Sequence, residues 1–509
     1  MRKLGFLFLL ITLVACRGTK DIASTPKDDG QISFVIIQLN DVYEIAPLGG
    51  GKYGGMARVA HIKDSIQAIN PNTYMVMAGD FLNPSLIGTM KLDGERINGK
   101  QMIEVMNAMG MDLTTFGNHE FDVGREALQK RINESEFAWT VANVLEDRGE
   151  GNTAPFKVNR DIGNIPVKPY HIWSMSDADG TRLKIGFVSV CIDSNPQDFV
   201  KYQEVIPSME KALSTVKPLS DLQLGLTHLT IAQDKRVAAR FPELKLIMGG
   251  HEHNNMLVPA SGINIAKADA NAKTIYVHSF TYNKTTDQLQ IDSQLVPVDD
   301  KIASAADTQA VVDKWQEILE AKLKEVVADP YEVIYKATTP LDGTDSASRG
   351  VQTNLGGIIT EAMAKSFEQP AQAGLVNGGS IRIDDQIAGD VTSLDIFRVL
   401  PFGGYVVKVD MTGALLVKTL DYGKSKNGTG AYLQRYNLDQ NQAGDWVIGG
   451  AEIDPEGVYK IALSDFLLLG YDIPFLKEDN PEILGIYKPD QNETAGDVRR
   501  AVINFIKSK

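Results

Sequence analysis

Asp41, Asp80, Asn118, His119, His228, His251 and His253 are side chains that can do chemistry, and each follows a short apolar run. FVIIQLN leads to Asp41, TYMVMAG to Asp80, and DLTTFG to the pair Asn118 and His119. LQLGLT leads to His228, and LKLIMGG to His251 with His253 two positions on. One polar residue after an apolar run is what any turn supplies. Five such events, taking four of the seven histidines of the chain, exceed what turn chemistry explains. Carboxylate and imidazole together bind transition metals, and this donor mixture suits Mn, Fe, Co or Zn rather than Ca. A carboxylate such as that of Asp80 can bridge two divalent cations about 3.5–4 Å apart, which polarise a phosphate ester and activate water.

These residues meet only if the runs lie side by side. From residue 31 to 300, apolar runs alternate with helical patterns such as MARVAHIKDSIQAI and QMIEVMNAM, the mark of a layered α/β domain. Open α/β sheets collect ligands beyond the carboxyl ends of their strands, so the five ends predict one pocket. Residues 306–328 place Val311, Trp315, Ile318 and Leu319 on one face and stop at Asp329-Pro330, giving a helical linker or hinge over 301–330. A smaller α/β or α+β domain fills 331–509 and closes with the helical DVRRAVINFIK.

At 509 residues two large domains are expected, and the 43% hydrophobic and 23% charged fractions are those of a globular protein. A formal charge of −14 argues against a nucleic-acid partner. Arg2 and Lys3 precede LGFLFLLITLVA, which runs into Cys16. This is a targeting segment too short for a comfortable span, and LVAC resembles a bacterial lipobox. Residues 1–16 are thus read as a lipoprotein signal peptide with Cys16 acylated, and 17–30 as a tether. The protein would be lipid-anchored at the cell envelope, at the outer membrane facing periplasm or surface. Cys191, in the strand-like KIGFVSVCI, is expected to be buried, leaving no disulfide in the mature chain.

The blocks ND, GD, GNHEFD, LTH and GGHEH, in this order, resemble the calcineurin-like metallophosphoesterase domain. More narrowly they resemble the bacterial 5′-nucleotidase and UDP-sugar hydrolase family. The resemblance implies a four-layer sandwich of mixed sheets flanked by helices over 31–300, joined to a substrate-binding domain. It implies a first metal held by Asp41, Asp80 and His253, and a second by Asp80, Asn118, His228 and His251. His119 would stand beside the phosphate, oriented by Asp122. Tyr43 departs from the family, which usually has His there. It leaves three readings: a weakened first site, a site biased towards iron, or Tyr43 turned away with water in its place.

In the second domain, GLVNGGSIR resembles the family's NGGGIR block and implies Asn377, Gly378, Gly379 and Arg382 at the substrate. Arg349, in SRGVQTNLGGIITEAM, is a second phosphate-facing candidate, and Phe402 of LPFGG is the implied stacking residue. LLLGYDIPFL supplies Asp472, but Pro474 stands where an aromatic is expected, so Tyr471 or Phe475 would complete the clamp. His61, His171 and His278 read as structural, with His278 at most at the cleft rim. GGGKYGG lacks phosphate-loop spacing.

The expected activity is hydrolysis of phosphate esters, foremost nucleoside 5′-monophosphates or related nucleotides. A phosphodiesterase acting on 2′,3′-cyclic nucleotides or nucleotide sugars is the neighbouring alternative. A non-catalytic nucleotide- or partner-binding lipoprotein, with its first metal site degraded at Tyr43, is the alternative of another class.

Overall fold

The computed structural model describes residues 28–160, 163–194, 196–383 and 385–509; the leader, Cys16 and most of the tether lie outside the described residues. Two six-stranded sheets pack face to face. The first contains, in spatial order, Gln288–Pro297, Thr274–Asn283, Gln31–Leu39, Thr73–Met77, Leu113–Thr114 and Ala138–Trp139. The second contains Tyr170–Ser176, Arg182–Cys191, Leu222–His228, Leu246–Gly250, Ile263–Lys267 and Met256–Ala260. Central strands run parallel; antiparallel neighbours sit at one edge of the first sheet and at both edges of the second.

The two-residue period of Gln31–Leu39 explains its place. Ile32, Phe34 and Ile36 face the second sheet and meet Phe187, Leu224 and Met248. Val35, Ile37 and Leu39 face outward, in the core that also holds Val59, Met102 and Met106 of helices Met56–Gln67 and Lys100–Ala108. Helices Val205–Val216 and Ile231–Arg240 cover the second sheet. The result is the expected four-layer α/β sandwich, with the parallel strands ending on one side.

Helix Ala306–Leu323 is fastened to this sandwich. Val312, Trp315, Leu319 and Leu323 form its buried face, while Val311 and Ile318 are only half-buried. The Trp315 indole N–H donates to Glu104 Oε2 at 2.8 Å, and Lys314 reaches the same carboxylate. The helix stops at Leu323, earlier than Asp329-Pro330. The amides of the β-branched pair Val326 and Val327 both turn back onto the Leu323 carbonyl. The chain then crosses to a domain built on a five-stranded sheet, ordered Leu433–Tyr436, Ala373–Asn377, Val458–Ser464, Val406–Thr412 and Ile483–Tyr487.

Among the described residues, three ion pairs stitch the second domain to the first: Arg382 to Asp122, Lys273 to Asp385, and Arg398 to Glu44. The three partners from the second domain fall within residues 382–398.

Candidate metal centre and catalytic dyad

Asp41, Asp80 and His228 bring one ligand atom each within 4.8 Å of one another. All three are buried: Asp41 and Asp80 follow neighbouring strands of the first sheet, and His228 ends a strand of the second. Two of these acids, and His251, hold left-handed backbone: φ is 54° at Asp41, 57° at Asp80 and 83° at His251. Such conformations cost ~1–3 kcal/mol each and persist only where the surroundings fix them. Glu120 is one such support. Its buried carboxylate accepts the amides of Asp80, Phe81, Leu82 and Gly117 at 2.8, 2.7, 3.1 and 2.6 Å. Burial and the nearby Asp80 charge push its pKa up to about 7 against the Phe81, Asp80 and Gly117 amides. Gly117 must be glycine, because a Cβ there would lie 2.1 Å from Asp80 Oδ1.

The donor chemistry fits a cation. His228 Nδ1 lies 2.7 Å from the Ala78 carbonyl and donates to it, so Nε2 faces Asp80 Oδ2 at 3.1 Å. A bare nitrogen lone pair against a carboxylate needs a proton or a metal between them. Burial opposes the imidazolium, but Asp80 and Asp41 outweigh it and raise the His228 pKa to about 9. A bound cation would take the place of that proton. His251 packs edge-on to His228, with ring centroids 5.4 Å apart, and its pKa falls to about 4 through burial and the His228 charge. It is therefore the neutral imidazole that coordination requires. The His251 amide donates to Asp41 Oδ2 at 2.9 Å, and His253 Nε2 lies 3.5 Å from Asp41 Oδ1. Asn118 is buried at the head of the short helix His119–Val123, whose first amide donates to Asp80 Oδ1 at 2.8 Å.

Behind this shell sits a group the sequence reading missed. Lys267 is fully buried, and its ammonium donates to the carbonyls of Leu229 and Gly250 at 2.5 and 2.8 Å. It pairs with Asp234 at 2.8 Å and with Glu252, which lies between the two histidines of GGHEH. One cation thus ties the turn after His228 to the turn before His251.

His119 Nδ1 lies 2.8 Å from Asp122 Oδ2. That oxygen also receives Asn83 Nδ2 at 2.7 Å and, from the second domain, Arg382 Nη2 at 2.8 Å. Burial works against a charged His119, yet Asp80 and Asp122 raise its pKa to about 9. These carboxylates favour the imidazolium, the form suited to donating a proton.

In the second domain the Asn377 amide donates to Asp472 Oδ2 at 2.8 Å, and Gly378 packs so closely on Ser348 and Arg349 that a Cβ would meet the Ser348 carbonyl at 2.4 Å. Arg349 pairs with Asp345, and Gly379 lies against Gly430. Phe402 is 53% exposed, with the Arg382 guanidinium 5.9 Å from its ring centre. Phe475 does not join them. Its ring stands edge-on to Tyr422 under the Lys418 ammonium, packed against the domain's own core. The open aromatics on that side are Tyr471, 77% exposed, and Phe466, 37% exposed, 6.1 Å from each other. Phe466 follows Asp465, whose amide donates to Tyr405 of the Phe402 loop. His278 lies fully buried between Ser293 and Gln38, away from any rim.

Comparison with known families fits this geometry. A calcineurin-like phosphoesterase profile matches residues 34–255, and a 5′-nucleotidase C-terminal domain profile matches residues 333–478. The chain is a two-domain metallophosphoesterase of the 5′-nucleotidase family. Relatives include 5′-nucleotidases of Bos taurus, 24% identical over 82% of this chain and 78% of the bovine protein, and of Vibrio cholerae, 24% identical over 83% and 82%. Among solved structures, a 5′-nucleotidase precursor from Thermus thermophilus superposes with a TM-score of 0.67 at 20% identity, covering 94% of this chain and 96% of that one. A sulfate thiohydrolase from the same organism gives 0.62 at 14% identity, over 93% and 94%, so the fold alone leaves the substrate open. As a member of this family the protein is a metal-dependent phosphoric ester hydrolase that uses two divalent cations. When bound, they polarise the phosphate and activate water.

Proposed function

We propose that this metallophosphoesterase removes the 5′-phosphate of nucleoside monophosphates at the seam between its domains. The observation that carries the reading is the convergence on Asp122. The same carboxylate oxygen holds His119 of the first domain and Arg382 of the second, and Arg382 lies beside the exposed ring of Phe402. A phosphate next to His119 is therefore one guanidinium away from an aromatic face. Phosphate has no use for that face; a nucleobase stacks on it. In this reading His119 protonates the leaving 5′-oxygen, Asp122 keeps its ring in register, and Arg382 and Arg349 neutralise phosphate charge. Asn377 and Asp472 meet the polar edge of the nucleoside.

The test is phosphate release from AMP by the purified protein with Mn²⁺, with Fe²⁺ and with EDTA. Release is expected with metal and absent with EDTA. Phe402→Ala is expected to raise KM for AMP about tenfold, the scale of one lost base stack of ~1–3 kcal/mol, and to spare p-nitrophenyl phosphate. Cleavage of bis-p-nitrophenyl phosphate without release from AMP would remove the nucleotide assignment.

We also propose that Cys16 is acylated and anchors the enzyme to the envelope membrane, on the strength of the basic, apolar and LVAC segments preceding the tether. Cys16→Ser is expected to move the protein from the membrane to the soluble fraction of fractionated cells. Unchanged membrane retention would sink the anchor.

A further inference from the structure

Tyr43 is 3% exposed, and its hydroxyl lies 3.1 Å from His253 Nε2. That nitrogen is the atom 3.5 Å from Asp41 Oδ1, so the phenol and the carboxylate both approach one imidazole nitrogen. The ring is not turned away. Its backbone is pinned as well: Asn271 Oδ1 accepts the Tyr43 and Glu44 amides at 3.0 and 3.2 Å, and the Asn271 amide donates to the Asp41 carbonyl at 2.8 Å. Glu44 is held by Arg398 of the second domain at 3.2 Å. Were the hydroxyl only a cap on His253 Nε2, it would block the nitrogen that the first site needs and leave that site two carboxylates.

Resting on the dinuclear reading of this centre, we propose that Tyr43 is a ligand of the first metal, and that its oxygen shifts this site toward the harder divalent ions Mn²⁺ and Fe²⁺ at the expense of Zn²⁺. The donors on the two sides differ in kind. The first site has three oxygens, from Asp41, Tyr43 and Asp80, with one imidazole from His253. The second has two imidazoles, from His228 and His251, with Asp80 and the Asn118 amide. Nitrogen-rich donors favour Zn²⁺ steeply over Mn²⁺, while oxygen donors flatten that preference. The two metals of this centre are therefore chemically sorted, and Tyr43 is the residue that sorts them.

The experiment uses metal-stripped full-length protein titrated with Mn²⁺ alone, and with Zn²⁺ competing, read by calorimetry, Mn²⁺ paramagnetic resonance and metal content after dialysis. Tyrosine ultraviolet difference absorption on metal addition reads ligation directly. Wild type is expected to bind two equivalents of Mn²⁺ with a tyrosine difference band. Tyr43→Phe is expected to lose the band and weaken one equivalent at least tenfold, with unchanged circular dichroism. Tyr43→His is expected to restore both equivalents and to raise the Zn²⁺ over Mn²⁺ preference of the first site at least tenfold. Two unweakened equivalents in Tyr43→Phe, or an unchanged preference in Tyr43→His, would overturn the proposal. A wild type that takes up no Mn²⁺ or Zn²⁺ would overturn it together with the centre itself.

Discussion

His119→Ala is expected to lower kcat by roughly 10²–10⁴-fold, the usual worth of a positioned general acid, while the protein still binds both metals. The expectation follows from geometry. His119 meets the centre through its amide on Asp80 and through Asp122, so its side chain can be removed without taking a ligand away. Its raised pKa gives the sign of the pH effect. Burial opposes the charge, while Asp80 and Asp122 favour it and raise the pKa above the ordinary imidazole value. Activity is therefore held below the raised pKa and lost as pH rises through it. Once cations share the Asp80 charge, Asp122 is the partner left to hold the proton. Asp122→Asn should then move the alkaline limb toward the ordinary imidazole value of 6.5. Steady-state kinetics from pH 6 to 10 with a fixed metal supply reads both effects, the span being set by the ordinary imidazole range and about 2–3 units above it. A His119→Ala protein within threefold of wild type, against the ~10²-fold lower bound for a general acid, would remove His119 from catalysis.

The second large effect is on stability. Lys267→Met keeps the bulk of the side chain and deletes a fully buried ammonium, leaving Asp234 buried without its cation and Glu252 released. Breaking a buried pair from one side costs about 3–5 kcal/mol. The loss should appear as a lower urea midpoint for the first domain in metal-free protein. Lys267→Met with Asp234→Leu should recover part of it, because no charge is then stranded. The carbonyls of Leu229 and Gly250 also lose their common anchor, so metal affinity should fall with stability. An unchanged midpoint would show that the network carries no net energy.

The strand ends were readable because each ligand closes a run whose period names the element before it, and parallel strands put such ends on one side. Asp41, Asp80 and His228 needed only that logic. Glu120 lay in plain view within GNHEFD, but its four amides come from two loops that meet only in space. Lys267 left no signal at all. It closes INIAK, a strand inside the second sheet, and only the fold turns it inward. Phe475 was drawn to the clamp by its nearness to Asp472 in sequence, whereas its ring packs on Tyr422. Pairing Arg382 with Asp122, and Glu44 with Arg398, lay beyond a one-chain reading because each contact spans more than 250 positions.

The stitching between the domains has a mechanical consequence. Its second-domain charges, Arg382, Asp385 and Arg398, lie close together in the chain and grip the first domain at Asp122, Lys273 and Glu44. Any separation of the two domains would break the Arg382–Asp122 pair and so take one donor from the carboxylate oxygen that holds His119. The contact between domains and the posture of the proton donor are therefore one and the same hydrogen-bond junction.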